Sequence, residues 1–241
     1  MADERHEDHL KRWAKSGKSG TPPVNAATVV PIRDTARGIE VLMLKRNSKI
    51  AFGGMWVFPG GRVDPEDGPL GSDTDEQETA RRAAVREAQE EAGLELTTDS
   101  LIAFSHWTPP PTTPRRFLTW FFLAAAPESE IVIDGGEIHE HAWMLPLEAL
   151  ERRNAGKIEL APPTWITLNE LTGHADTLSA LEATRARVPE RFETRIAIEE
   201  DGPVAMWKGD AGWPDGDAGR PGARHRLRMR TGQWLYERNL G

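Results

Sequence analysis

The residues of this chain whose types and spacing could do chemistry are the run Arg86-Glu87-Ala88-Gln89-Glu90-Glu91-Ala92-Gly93-Leu94, with Glu78 eight positions ahead of Arg86. The surrounding segment, Glu76 to Ala92, is rich in Ala, Glu, Gln and Arg and predicts a helix. On that helix Glu87, Glu90 and Glu91 stand at i, i+3 and i+4, so their side chains converge on one face. Three like charges held together repel one another, and a divalent cation among them relieves the repulsion. Ligands that are all oxygen suit a hard ion, Mg²⁺ or Mn²⁺, and such ions suit phosphate chemistry. The competing reading is a solvated acidic face, the ordinary fate of a Glu-rich helix.

The flanks weigh against that reading. Gly93 sits where a left-handed helix C-cap wants glycine. Arg86 lies one turn before Glu90 and is placed to hold that carboxylate. Upstream, Trp56-Val57-Phe58-Pro59-Gly60-Gly61 reads as a short strand ending in a glycine turn. Together these residues resemble the Nudix box: Gly, five residues, Glu, seven residues, Arg-Glu, an aliphatic, any residue, Glu-Glu, any residue, Gly, an aliphatic. Glu78 through Leu94 match that motif in order and spacing. The glycine expected at position 72 is Ser72, and the nearest suitable glycine is Gly61, so the intervening loop is longer than the motif by 72 − 61 = 11 residues. That loop, Arg62 to Gln77, carries Asp64, Glu66, Asp67, Asp73, Asp75 and Glu76 and is read as a solvated surface excursion.

The resemblance implies a Mg²⁺- or Mn²⁺-dependent hydrolase of diphosphate linkages. Its metal ligands would be Glu87, Glu90, Glu91, the carbonyl of Gly61 and a carboxylate after the helix, Glu140 or Glu137. Glu87, Glu90 and Glu91 would also carry the catalysis, with Arg86 holding Glu90. Phe58 to Asp64 and Thr113 to Phe122 further resemble the coenzyme A diphosphatase-like branch, which also has a long loop inside the box. That branch implies cleavage of coenzyme A or an acyl-coenzyme A. Arg46, Arg62, Arg115 and Arg116 are the candidate substrate-binding residues, because a planar guanidinium suits phosphate oxygens. The alternatives are ADP-ribose, a dinucleotide or a nucleoside triphosphate as substrate, or a sensor that binds a nucleotide without cleaving it.

The chain must position these groups with 241 residues, ample for one elaborated domain. Met1 to Val24 is polar and reads as a flexible arm, 25–190 as the catalytic domain and 191–241 as an extension. Strands are expected at Ala26–Ile32, Ile39–Lys45, Trp56–Phe58, Leu101–Trp107, Phe117–Ala124 and Glu140–Met144. Shorter helices are expected from Pro146 to Leu150, Thr164 to Leu171 and Ser179 to Arg187. This order fits an α+β fold, a mixed sheet sandwiched by helices, which is the Nudix fold. In the extension, Arg195–Ile198 reads as a strand, and His225–Arg230 with Gln233–Glu237 as a hairpin around Thr231-Gly232. The hairpin could cover the sheet, roof the active site or form a homodimer contact.

Composition narrows the classes. A net charge of −8 argues against a general nucleic-acid binder. The absence of cysteine removes disulfides and thiolate metal sites. No apolar run reaches the ~18–20 residues needed to cross a bilayer. The expectation is therefore a cytoplasmic protein with a small nucleotide-type substrate and no membrane partner.

Overall fold

The computed structural model describes residues 22–47, 53–69, 73–111, 113 and 115–239. The expected arm lies outside them apart from its last three residues, as does Ser72.

The main sheet has eight strands: β1 (Val24–Thr35), β2 (Gly38–Arg46), β3 (Trp56–Val57), β4 (Gly60–Arg62), β5 (Ile102–Thr108), β6 (Phe117–Ala125), β7 (Ile138–Met144) and β8 (Glu190–Glu193). Its order is β3-β2-β1-β6-β5-β8, with β4 paired to β1 and β7 to β2. It is mixed: β1 runs parallel to β6 from Val24↔Phe117 to Ile32↔Ala125, and β5 runs parallel to β8, whereas the other pairs are antiparallel. The long β1 is shared along one side. Its first half pairs with β4 at Ala26–Thr28 and its second with β2 at Ile32–Thr35.

Alternation along the strands divides the core in two. Ala27, Val29, Leu42, Leu44, Trp120 and Phe122 point to one face, where helix α1 (Asp73–Ala92) lies. That helix packs through Ala80, Ala83, Ala84, Ala88 and Ala92, all essentially inaccessible. Small side chains at helical spacing let its backbone come close to the sheet, and this carries the glutamates between them to the sheet's edge. Val30, Ile32, Val41, Met43, Phe121 and Leu123 point to the other face. There they meet helices α2 (Pro146–Asn154), α3 (Pro162–Leu171) and α4 (Thr177–Arg185). The expected mixed sheet between helices is what the structure shows.

The extension is larger than a hairpin. It forms a second sheet of four antiparallel strands in the order β12-β11-β10-β9, where β9 is Arg195–Glu199, β10 Gly202–Met206, β11 Arg224–Arg230 and β12 Gln233–Asn239. The expected hairpin is β11–β12, paired from Arg224↔Asn239 to Arg230↔Gln233. Ala205, Leu227, Met229 and Trp234 of this sheet, with Trp207 just after β10, join the core beneath α2–α4. A fully buried ion pair, Arg226 with Asp210, ties β11 to the loop after β10.

Candidate active site

Helix α1 ends as its sequence requires. Gly93 adopts φ +66°, its N–H donates to the Gln89 carbonyl at 3.0 Å, and the Leu94 N–H donates to that of Ala88 at 3.2 Å. This left-handed cap stops the helix one residue beyond Ala92, leaving Glu87, Glu90 and Glu91 in its last turns.

Strand β4 faces these carboxylates because two glycines let it come close. A Cβ on Gly60 would collide with the Ala27 carbonyl and Thr28, and one on Gly61 would collide with the Glu87 carboxylate. The preceding turn is pinned: Thr28 Oγ1 and the Val29 N–H both donate to the Pro59 carbonyl, at 2.6 and 3.0 Å. The Gly60 N–H then donates to Glu91 Oε2 at 2.9 Å.

Arg86 organises the cluster. Its Nε and Nη2 grip the Asp67 carboxylate at 3.1 and 2.9 Å, and Nη2 also donates to the Arg62 carbonyl at 2.9 Å. Its Nη1 donates to Glu87 at 2.9 Å and Glu90 at 3.1 Å. All five N–H donors of the guanidinium thus have acceptors. The Asp67 side chain is 5% exposed. Burial alone would raise its pKa, but Arg86 and the Asp64 N–H outweigh burial and hold it below its ordinary value.

The other two carboxylates are under-compensated. Burial is the main cause pushing the Glu87 pKa up, with Glu90 and Asp64 adding to it against Arg86. Burial likewise raises Glu91 to about 7, and the Gly60 N–H and Arg46 offset only part of that. Arg46 stands 3.8 Å from Glu91 and also pairs with Glu137.

The structure brings most of the sequence-derived candidates together. Glu87, Glu90, Glu91, Arg86 and Gly61 form one cluster, and Arg46, Arg62 and Arg115 line the cleft that opens beside it. Two candidates are not brought in. Glu140 faces Lys45 across the β2–β7 pair at 3.1 Å, with its side chain 54% exposed, and does not line the cleft. Glu137, the alternative, does line it, beside Arg46. Arg116 is absent from the cleft wall as well, and its Nε is buried just ahead of β6. His139 and His141 are exposed.

One residue was misread. Asp67, taken from the sequence as a solvated loop acid, is the partner of Arg86, while Glu78 pairs with Arg81 and Arg82 at 3.7 and 3.5 Å. Asp67 stands six positions after Gly61, the interval the motif sets between its glycine and its first glutamate. Counting forward from Gly61 would have found it.

The donor set fits a hard cation. It is all oxygen, clustered, and includes two carboxylates whose burial is not balanced by the cations around them. It is not a finished coordination shell: among the described residues no three acidic or histidine side chains are grouped as ligands, and Arg86 bonds both Glu87 and Glu90.

The fold and this site define a domain that presents a carboxylate helix against a glycine strand, and comparison with known proteins says which. The NUDIX domain family matches residues 22–164, more than half of the chain, and the chain belongs to that family. Nudix hydrolase 7 of Caenorhabditis elegans is 32% identical over 186 residues, an alignment covering 61% of this chain and 60% of that protein. The CTP pyrophosphohydrolase of Escherichia coli K12 is 28% identical over 107 residues, covering 44% of this chain and 53% of that one. The chain thus spans between half and two thirds of the length of these relatives. Among solved structures, a NUDIX hydrolase from Alicyclobacillus acidocaldarius superposes with a TM-score of 0.60 at 25% identity, covering 70% of this chain and 98% of that one.

Proposed function

We propose that this protein hydrolyses the diphosphate linkage of a nucleoside diphosphate derivative, with Mg²⁺ or Mn²⁺ as cofactor and coenzyme A or an acyl-coenzyme A as the favoured substrate. The observation that carries the proposal is the arrangement of Glu87 and Glu90 on Arg86 and of Glu91 on the Gly60 N–H, against the glycine strand at the side of a large cleft. A bound divalent ion would supply positive charge to phosphate oxygens and lower the pKa of water. Glu87, Glu90 and Glu91, helped by the Gly61 carbonyl and Glu137, are the residues that would hold it.

The chain's own groups do the rest. Arg46, Arg62 and Arg115 present guanidinium groups to the diphosphate and fix its orientation. Arg86, with every donor engaged, keeps Glu87 and Glu90 in place instead of binding substrate. A carboxylate of the cluster takes the proton of the attacking water. A water oxygen–phosphorus bond forms, the phosphoanhydride bond breaks, and two phosphomonoesters leave.

The coenzyme A branch is supported by the motif spacing. With Asp67 in the place of the first glutamate, residues 68–85 number 18 where the motif has 7, and the eleven extra residues follow Asp67 on this count. The likeness to a CTP pyrophosphohydrolase favours a nucleoside triphosphate as the second reading. The test is a Mg²⁺-dependent hydrolysis screen with coenzyme A, ADP-ribose, NADH, diadenosine polyphosphates and nucleoside triphosphates, with products read by mass. Release of 4′-phosphopantetheine and adenosine 3′,5′-bisphosphate supports the first reading; cleavage of another compound replaces the substrate. Silence across the panel with nucleotide binding intact would make the protein a sensor.

A further inference from the structure

The cleft holds about 1500 Å³, beyond the roughly 300–1,000 Å³ of an ordinary small-molecule site. Its charged lining residues are Lys45, Arg46, Arg62, Asp64, Glu87, Arg115, Glu137, Lys157 and Glu159, whereas every wall supplied by residues 161–229 is uncharged. That uncharged part includes Thr194, Ile196, Ala205 and Met229, the last three on β9, β10 and β11 of the second sheet.

A run of rings links the two parts. Phe58, two residues before Gly60, meets Phe121 edge-on at 6.2 Å; Phe121 lies 6.2 Å from Trp107, and Trp107 lies 5.7 Å from Trp207, the residue after β10. The polar atoms beside these rings are already engaged. Trp107 Nε1 donates to Ser105 Oγ at 2.9 Å, and Trp207 Nε1 donates to Thr194 Oγ1 at 3.0 Å. The backbones of Ile196 and Ala205 face each other as paired residues in the sheet. A polar ligand group beside these rings would meet few open partners in exchange for its water, whereas an apolar group has no hydrogen bonds to give up.

We propose that the C-terminal sheet builds an apolar compartment of the substrate cleft, which takes an uncharged aliphatic arm on the non-nucleotide half of the substrate. This rests on the reading that the diphosphate lies at the α1 carboxylates. The walls supplied by residues 194–229 lie outside the residues matched to the Nudix domain, so the compartment belongs to this chain's own elaboration of the fold. Ile196 and Met229 are then specificity-determining residues.

The test compares wild type, Ile196→Asp and Met229→Ala, each checked for folding by thermal unfolding. Two readouts use the same series of free, butyryl-, octanoyl- and lauroyl-coenzyme A: kcat/KM with Mg²⁺, and binding in EDTA followed by tryptophan fluorescence. In wild type each methylene that enters the compartment should improve binding up to roughly fourfold. Ile196→Asp should cut the ratio of octanoyl- to free coenzyme A by at least about tenfold in both readouts. Met229→Ala should move the best chain length upward, and it serves alone if the aspartate variant does not fold. Affinity that does not depend on chain length, or a dependence unchanged in the variants, overturns the compartment while leaving the hydrolase reading intact. Chain-length-dependent binding that the variants abolish, with no cleavage of the diphosphate bond in any of these compounds, supports the compartment and overturns the substrate reading.

Discussion

Glu91→Gln is expected to stabilise the metal-free protein at alkaline pH and to leave it nearly unchanged at acid pH. The Glu91 side chain is 7% exposed. Its burial lifts the pKa from 4.5 to about 7, with Glu87 and Glu137 adding to the rise. A carboxylate whose folded pKa lies above its unfolded value binds more protons when folded. It therefore favours the folded state at low pH, and the benefit is lost as pH rises from 4.5 through about 7. At about 1.4 kcal/mol per unit the loss is about 3 kcal/mol, of which roughly 2.5 kcal/mol falls between about pH 5 and about pH 8. Glutamine does not titrate, and its amide oxygen can still accept the Gly60 N–H. Thermal unfolding in EDTA should show the variant's Tm gaining roughly 5–10 °C on wild type between those two conditions. Comparing the two proteins at each pH cancels the titrating groups that do not interact with Glu91. Mg²⁺ should narrow the gap at about pH 8, since an ion that binds only the folded, ionised cluster stabilises wild type alone. A Tm difference that is the same at both pH values would refute the reasoning, and with it the physical case for a cation beside Glu91.

Three further outcomes are expected. Glu90→Gln should lower turnover by two or more orders of magnitude with its Tm nearly unchanged, because an amide binds Mg²⁺ poorly and the side chain is 59% exposed; wild-type rates would remove Glu90 from the mechanism. Gly61→Ala should lower turnover by at least about tenfold, since the added methyl meets the Glu87 carboxylate and must displace it or β4; steady-state kinetics with unimpaired turnover would show that neither position matters. Asp210→Asn should destabilise the fold by about 3–5 kcal/mol, because it strands a fully buried Arg226; a Tm drop under about 5 °C would contradict that.

What the sequence could show follows from the range of the interactions. The acidic helix is legible because its spacing and its cap are local, and the alternating strands β1, β2, β5 and β6 declare themselves for the same reason. Strands β8 and β10 do not: Glu190-Arg191-Phe192-Glu193 is mostly charged, and Gly202-Pro203 opens β10 with residues that weaken strands. The first exists because β5, distant in sequence, pairs with it; the second is held between its neighbour β9 and the more distant β11. The site divides likewise. Glu137 reaches Arg46 only through the β2–β7 pairing, and that same pairing gives Glu140 to Lys45. Nothing local in Ile196 or Met229 announces a cleft wall.

Asp67 is the sharpest case, because two ways of counting assign the same role to different residues. Counting back from Arg86 selects Glu78; counting forward from Gly61 selects Asp67. The contacts separate them. The Glu78 side chain is 48% exposed and meets its two arginines at 3.5 and 3.7 Å, which is surface pairing worth at most about 1 kcal/mol. Asp67 is buried and makes two charge-assisted bonds to Arg86, which in turn holds Glu87 and Glu90. Glu78→Gln should therefore leave kcat within about twofold and move Tm by no more than a few degrees. Asp67→Asn should destabilise the protein by roughly 3 kcal/mol and lower kcat by at least about tenfold, since the guanidinium that places two of the carboxylates loses its anchor. Asp67→Glu, which keeps the charge, should recover part of the rate. If Glu78→Gln proves the more damaging in kcat, the backward count is right and the Asp67–Arg86 pair only ties down the loop.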